Sequence, residues 1–176
     1  VVQLLLERCN SEESGLNTKD KYGWTAFMIA CLHGHKDVVQ LLLDHSERIE
    51  MNARSNTGRT AFMFACLGGH KDVVKLLLDH SEIIDLNARD NYGTTSFMWT
   101  CENGLKDVVQ LLLVNSERIE LNSRDNGSWT AFMLACRYGH KDVVKLLLEY
   151  SEVVDINISE SFFKNLIELH LMKAQN

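Results

Sequence analysis

Cysteine is the residue of this sequence best suited to redox or metal chemistry, and four of the five cysteines lie 35 residues apart. These four are Cys31, Cys66, Cys101 and Cys136. This spacing puts them at the same position in successive 35-residue units of a repeated sequence. We therefore expect neighbouring thiols to be separated by about 10 Å, the spacing of packed helices. A disulfide needs Cα atoms within about 7 Å, and a metal site needs ligands within about 2.3 Å of one ion. We therefore expect reduced, buried cysteines and an intracellular, reducing compartment, the cytoplasm or alternatively the nucleus.

The histidines and serines also follow the repeat, which argues against catalysis. His35, His70 and His140 each follow a glycine, and Leu105 takes the same place in the third unit, so this position does not require an imidazole. The serine series that begins at Ser46 has no base and oxyanion hole at plausible geometry. No phosphate-binding glycine loop of Walker or Rossmann spacing is present. The sequence therefore predicts a protein that is not an enzyme, with no catalytic residue, no cofactor and no metal site.

The elements that must position these residues are repeated helices. The segment Lys-Asp-Val-Val-(Gln/Lys)-Leu-Leu-Leu occurs four times, beginning at Lys36, Lys71, Lys106 and Lys141. Self-similarity at a fixed period of 20 to 50 residues is typical of a stacked repeat array. In such an array each unit buries its apolar face on its neighbours.

One unit reads as two short helices joined by a tight turn. Thr60 is a good N-cap for an apolar helix over 61–67, and Gly68-Gly69 can end that helix in the left-handed conformation. A second helix opens at 70–72. Its core-facing stripe, spaced i, i+3 and i+4, is predicted to be Val73, Leu76 and Leu77.

This unit resembles the ankyrin repeat, whose pattern is roughly D-x-x-G-x-T-P-L-H-x-A-A-x-x-G-H-x-x-V-V-x-L-L-L. The matching stretch is Asp20-Lys21-Tyr22-Gly23-Trp24-Thr25-Ala26-Phe27-Met28-Ile29-Ala30-Cys31-Leu32-His33-Gly34-His35, followed by Val38-Val39 and Leu41-Leu42-Leu43. The match recurs in four consecutive units and covers about residues 1–160. The resemblance implies an all-α, ankyrin-like solenoid of stacked antiparallel helix pairs joined by long hairpin-like loops.

We predict one array over residues 1–176. Its parts are a partial first unit over 1–19, full repeats over 20–54, 55–89, 90–124 and 125–158, and a degenerate C-terminal capping helix over 159–176. Val1–Leu6 reads as a second helix without its first helix, so we expect either a fragment of a larger protein or an uncovered face that docks on another copy.

The chain departs from the family pattern in several places. It has no proline, and T-P-L-H becomes T-A-F-M or T-S-F-M. The family histidine, which ties neighbouring loops by hydrogen bonds, is replaced by methionine in all four units, so we expect apolar packing in place of that polar network. Gly127-Ser128 inverts the expected order at one turn. Alternating residues, such as Gln40, Lys75, Gln110 and Lys145, indicate a second period of 70 residues.

The resemblance implies partner binding at the loop tips and along the concave face of the first helices. Positions there that vary between units, while the frame stays constant, are the candidate binding residues. They are Lys21, Tyr22, Trp24, His33, Asn56, Arg59, Asn91, Tyr92, Thr94, Glu102, Asn103, Asn126, Trp129, Arg137 and Tyr138. Several are Trp, Tyr or Arg, the types that supply interface hot spots. The alternative is drift at unconstrained positions, with the aromatic side chains covering neighbouring loops. Trp99, at an apolar position, is expected to pack in the core.

The predicted function is non-catalytic protein–protein interaction, as an adaptor or targeting segment of a larger protein. A formal charge of −6 with interleaved acids and bases argues against nucleic acid as a partner. No apolar run approaches the ~20 residues needed to span a bilayer, so no membrane partner is expected. The alternatives are a structural spacer, or a module that self-associates through Val1–Leu6. The expected state is a monomer, with a homodimer through that helix as the alternative.

Overall fold

A computed structural model of the protein describes residues 15–157. This part contains eight α-helices, in two series, and no β-strand. The first helices of successive units are α1 (Ala26–Leu32), α3 (Ala61–Gly68), α5 (Ser96–Glu102) and α7 (Ala131–Tyr138). The second helices are α2 (Lys36–Leu43), α4 (Lys71–Leu78), α6 (Lys106–Leu113) and α8 (Lys141–Glu149). The predictions for Val1–Leu6 and for the cap over 159–176 lie outside the described residues.

The helices form two layers. Each first helix packs on its own second helix and on the first helices of the neighbouring units, and the second helices pack on one another in the same order. The first helices of neighbouring units make more extensive contact with each other than the second helices do. The predicted all-α fold of stacked antiparallel helix pairs is confirmed.

A threonine begins every first helix, as predicted at Thr60. The hydroxyl of Thr60 accepts the backbone N–H of Met63 at 3.5 Å, and Thr25, Thr95 and Thr130 make the same bond at 3.3 Å. Such a bond satisfies a donor that has no partner within the helix and contributes about 1 kcal/mol. The helices therefore begin at the expected residue although the family proline is missing.

The ends of the first helices alternate between units. α3 and α7 are eight residues long and are capped by left-handed glycines, Gly69 at φ 73° and Gly139 at φ 75°. α1 and α5 are seven residues long, and their caps, His33 and Asn103, have φ of −95° and −94°. This alternation has the 70-residue period predicted from the sequence.

The second helices are buried over a wider face than the predicted stripe. In α4 the buried residues are Val73, Val74, Leu77 and Leu78, and Leu76 is half-buried and packs against the core. The predicted stripe thus faces the core, and positions 74 and 78 are buried in addition. The buried face is wider because a second helix packs on its own first helix and also on the second helices before and after it.

The methionines and cysteines on the first helices lie in the core. Met28, Met63, Met98 and Met133 are all buried. Cys31, Cys66 and Cys101 are free and buried, as predicted, and burial raises the pKa of all three thiols. Cys136, also free, is only half-buried.

The methionines that replace the family histidine are buried in apolar packing, as expected, but neighbouring loops are still joined by hydrogen bonds. Asparagines of the connecting loops tie each loop to the next. The amide of Asn87 donates to the Arg118 carbonyl at 2.9 Å and accepts the N–H of Glu120 at 2.8 Å. Asn17, Asn52 and Asn122 make the equivalent pairs of bonds. These bridges satisfy backbone groups that packing alone would leave without partners.

Candidate functional site

Four tight turns precede the first helices, and each is closed by its own backbone. In the turn over 90–94, the N–H of Asp90 donates to the Thr94 carbonyl at 3.1 Å, and the N–H of Gly93 donates to the Asp90 carbonyl at 2.9 Å. The Asp90 carboxylate accepts two further N–H groups, those of Tyr92 and Thr94. The turns over 20–24, 55–59 and 125–129 are closed in the same way. We call these turns, together with the C-terminal ends of the first helices, the finger surface.

Neighbouring turns are joined by asparagine. The side-chain amide of Asn56 donates to the Lys21 carbonyl at 3.0 Å, and its backbone N–H donates to the Tyr22 carbonyl at 3.0 Å. Asn91 and Asn126 make the same two bonds to the turn before them. These three predicted binding residues are exposed at the tips, but their amides already hold adjacent turns in register.

Two of the residues that follow a turn glycine pack on the next unit. The rings of Trp24 and Phe64 meet edge to face with centroids 4.9 Å apart, and the guanidinium of Arg59 lies over the indole of Trp99. Thr94, at the same position, is only 5% exposed. Its burial contradicts the prediction that it contacts a partner, because a buried side chain is not accessible to one.

Trp99 is held on both its face and its edge, and it is half-buried rather than a full core residue. The Arg59 guanidinium is 4.1 Å from the ring centroid, and the indole N–H donates to a carboxylate oxygen of Asp90 at 3.1 Å. The same oxygen lies 3.8 Å from Arg59 Nε. Arg59 thus makes a contact between units. This contact favours the alternative that variable side chains cover neighbouring units and do not bind a partner.

Within residues 15–157, the Phe, Tyr and Trp residues classed as exposed are three tyrosines. Tyr22, Tyr92 and Tyr138 are 55%, 63% and 48% exposed, respectively. The ammonium of Lys21 lies 4.9 Å from the Tyr22 ring centroid, and both residues are exposed. These side chains lie at turn tips and at the end of a first helix, where the sequence placed the candidate surface.

The fourth unit carries a second aromatic and cationic group. The guanidinium of Arg137 lies 4.6 Å from the Trp129 ring centroid and 5.8 Å from that of Tyr138. Trp129 and Arg137 are half-buried, and Tyr138 is exposed. The carboxylate of Glu102 raises the pKa of the Tyr138 hydroxyl, since it disfavours the phenolate.

The remaining candidates lie at the ends of α1 and α5. His33 and Asn103 are exposed, and Glu102 is half-buried. The carbonyl of Glu102 accepts a hydrogen bond from His140 Nε2 at 2.7 Å, so its backbone ties the third unit to the fourth. The amide of Asn103 donates to the Trp99 carbonyl at 2.9 Å.

Sequence reasoning missed one feature that adjoins the finger surface, a row of cations immediately before the turns, at a position that does not vary in charge. Its members are Lys19, Arg54, Arg89 and Arg124, which are 35 residues apart and all exposed. A comparison of units for variable positions does not identify such a row, because its charge is constant. The signal that identifies such a row is a charged residue that recurs at the repeat period.

Within residues 15–157, none of the helices has the length and apolar character required to cross a bilayer. In the same part of the chain, His, Cys, Asp and Glu do not form a cluster of three or more that could hold a metal ion.

The chain matches a family model described as ankyrin repeats (3 copies). The matched stretches are residues 1–90, 45–125 and 82–160, which overlap and together span most of the chain. No curated protein matches the chain.

Proposed function

Because the chain belongs to the ankyrin repeat family, we propose that it binds another protein through the finger surface. Ankyrin repeats are generally protein–protein interaction modules and are typically non-enzymatic. The proposed context is an adaptor or targeting segment of a larger protein. We also propose repeat boundaries of 20–54, 55–89, 90–124 and 125–158, since each of these ranges contains one helix pair.

The observation that carries the proposal is the exposure of large aromatic side chains on a rigid frame. Tyr22 and Tyr92 extend from turns that backbone and asparagine hydrogen bonds hold together. Tyrosine is enriched in the hot spots of protein interfaces. A preformed surface also loses little conformational freedom on association, so more of the contact energy appears as affinity.

The structure narrows the set of residues to be tested. Trp24, Arg59 and Thr94 pack between units or are buried, and changing them would alter folding as well as binding. Tyr22, Tyr92 and Tyr138 are the better probes, because their exposed rings can be removed with less loss of packing. We therefore propose these three tyrosines as the centre of the partner surface.

The test is affinity capture with three forms of the chain, followed by mass spectrometry. The forms are the unmodified chain, the triple variant Tyr22→Ala/Tyr92→Ala/Tyr138→Ala, and a control variant. The control is changed at exposed positions in the loops that follow the second helices. The control changes are Glu47→Ala, Glu82→Ala and Glu117→Ala. Urea denaturation must first give the same midpoint for all three forms.

We expect a protein that is retained by the unmodified chain and by the control and is lost from the tyrosine variant. A protein retained equally by all three forms would move binding away from the finger surface. Capture of no specific protein would favour the alternative of a structural spacer.

Self-association through Val1–Leu6 is the second alternative, and the oligomeric state tests it. Light scattering of the chain with and without an added N-terminal helix would separate the two cases. A dimer that becomes a monomer when the helix is added would support self-association. A monomer in both forms would exclude it.

A further inference from the structure

We propose that the partner presents an acidic segment in extended conformation, which binds along the cation row formed by Lys19, Arg54, Arg89 and Arg124. This inference rests on the proposed function and names the chemistry of the partner. It follows from three properties of the described residues, namely the bonds that link the row, the unpaired charge of three of its four members, and the uneven distribution of charge between the two halves of each repeat.

The cation row is continuous along the array. The ammonium of Lys19 donates to the Arg54 carbonyl at 3.0 Å. The guanidinium of Arg54 donates to the Arg89 carbonyl, and that of Arg89 donates to the Arg124 carbonyl. The first three cations therefore each reach the backbone of the next unit, and these bonds link successive members of the row. Arg124 instead donates to the Ser128 carbonyl of its own turn at 3.1 Å.

Most of the charge in the row is available to a ligand. Among residues 15–157, no carboxylate lies within 4.0 Å of a charged nitrogen of Lys19, Arg54 or Arg89. Arg124 pairs with Asp155 at 3.3 Å. A guanidinium has five N–H donors in a fork that fits a carboxylate. The bond from each arginine to a carbonyl leaves further donors for a partner.

The two halves of each repeat differ in charge. The turn and first-helix halves of the four units together carry seven Lys and Arg and four Asp and Glu. The second-helix halves, with their loops, carry eight Lys and Arg and fifteen Asp and Glu. These halves are residues 19–35, 54–70, 89–105 and 124–140 for the first set, and 36–53, 71–88, 106–123 and 141–157 for the second.

The carboxylates on the turn side are largely committed to the turns. Asp20, Asp90 and Asp125 each accept two backbone N–H groups of their own turn. In a chain with an overall charge of −6, the halves that contain the cation row thus have a net positive charge. Such a local excess of positive charge favours association with an acidic partner.

The spacing of the row fits an extended peptide. Successive units are about 10 Å apart, the distance between packed helices. A peptide in the polyproline II conformation has three residues per turn and rises about 3.1 Å per residue, so it repeats one face every ~9 Å. Acidic residues at every third position would therefore meet successive members of the cation row. In a β-strand, residues three apart point to opposite faces and would not.

The experiment uses fluorescently labelled peptides with the unmodified chain. One peptide carries glutamate at positions 1, 4, 7 and 10, separated by proline and serine. A second has the same composition with the four glutamates in one block, and a third has lysine in place of glutamate. Binding is measured by fluorescence anisotropy at low and moderate salt.

We expect the spaced peptide to bind about fivefold more tightly than the block peptide, and the lysine peptide not to bind. The affinity of the spaced peptide should fall as salt is added, because exposed charges are screened. Equal binding of the spaced and block peptides would overturn the proposed register. These comparisons do not depend on the folding of any variant.

Variants then locate the site. Arg54→Gln/Arg89→Gln should weaken the spaced peptide roughly fivefold to tenfold, as expected for two exposed ion pairs. The matched control, Lys71→Gln/Lys106→Gln, removes the same charge from exposed second-helix positions and should change binding less than twofold. Equal weakening in both variants would overturn the proposal, because it would reduce the effect to net charge.

Two further outcomes would also overturn it. A single-stranded oligonucleotide of equal charge that binds more tightly than the spaced peptide would assign the row to nucleic acid. A captured protein that depends on Tyr22 and Tyr92 but is unaffected by Arg54→Gln/Arg89→Gln would leave the proposed function intact and exclude the acidic segment. If the tyrosine variant also retains every captured protein, the proposed function itself fails.

Discussion

The guanidinium of Arg59 lies over the indole ring of Trp99, 4.1 Å from its centroid, and joins two neighbouring units. Trp24 and Phe64 make the corresponding contact one unit earlier, and both pairs are 40 residues apart in the chain. The two positions therefore differ together from one interface to the next. Their variation reflects matching of shape and charge between units, and it is not by itself a sign of partner binding.

A double-mutant cycle tests the coupling between Arg59 and Trp99. At the next interface the same positions hold Thr94 and Leu134, so Arg59→Thr and Trp99→Leu introduce residues that this fold already accepts. Each single change should lower the free energy of unfolding by about 1–2 kcal/mol, and the pair should show a coupling of about 1 kcal/mol. Urea denaturation measures all four forms. Lys71→Ala combined with Trp99→Leu is the control and should be additive, whereas zero coupling for the first pair would refute the contact.

The loop bridge at Asn87 should be important for stability. Asn87→Ala removes the acceptor for the Glu120 N–H and the donor for the Arg118 carbonyl, so we expect a loss of about 1–3 kcal/mol. Asn157 is the matched control, because its side-chain amide bonds to Asp155 within its own loop. Asn157→Ala should therefore cost less. Urea denaturation measures the free energy of unfolding of both variants. Equal losses would show that the bridges between units do not contribute to stability.

Ser128 is a site where a glycine should stabilise the protein. Its φ is 64°, whereas Gly93 has φ 77° at the equivalent turn position. The left-handed conformation costs a residue with a Cβ about 1–2 kcal/mol. The greater freedom of glycine in the unfolded chain offsets part of this. Ser128→Gly should raise the free energy of unfolding by about 1 kcal/mol, measured by urea denaturation.

The reverse change provides the control for the Ser128 prediction. Gly93→Ser puts a Cβ in the left-handed region and within 2.5 Å of the Asn126 side chain, so it should destabilise the protein by more than 1 kcal/mol. If Ser128→Gly lowers stability, strain at this turn is not significant.

The buried cysteines should make the protein less stable at alkaline pH. Burial raises the pKa of Cys31, Cys66 and Cys101, whereas an unfolded thiol titrates near a pH of about 8.5. The folded state therefore holds more protons above that pH, and stability falls as the pH rises. The expected slope is about 1.4 kcal/mol per pH unit for each thiol.

Urea denaturation between pH 7 and pH 10 measures this slope. Replacing Cys31, Cys66 and Cys101 by alanine should flatten it. Cys136→Ala should change it less, because that thiol is only half-buried in the folded state. The same slope in the triple variant and in the unmodified chain would show that other groups cause the pH dependence.

The sequence by itself determined the elements of this fold, because the signals involved act within a few residues. Thr60 caps its helix through a hydroxyl three residues from the N–H that it bonds, and Gly69 ends the helix through its own backbone conformation. The 35-residue recurrence of these signals established the array, and the alternation of residues indicated the 70-residue period that the helix ends display.

Only the tertiary structure decided which variable positions remain for a partner. Arg59 and Trp99, Asn87 and Arg118, and Lys19 and Arg54 interact over separations of 31 to 40 residues, so their contacts depend on the offset with which one unit stacks on the next. A pattern within one unit does not contain that offset. In the stacked array Thr94 is buried and Arg59 lies over Trp99. Four separate cations also form one row, because a side chain that repeats with the array lies near its counterpart in the next unit.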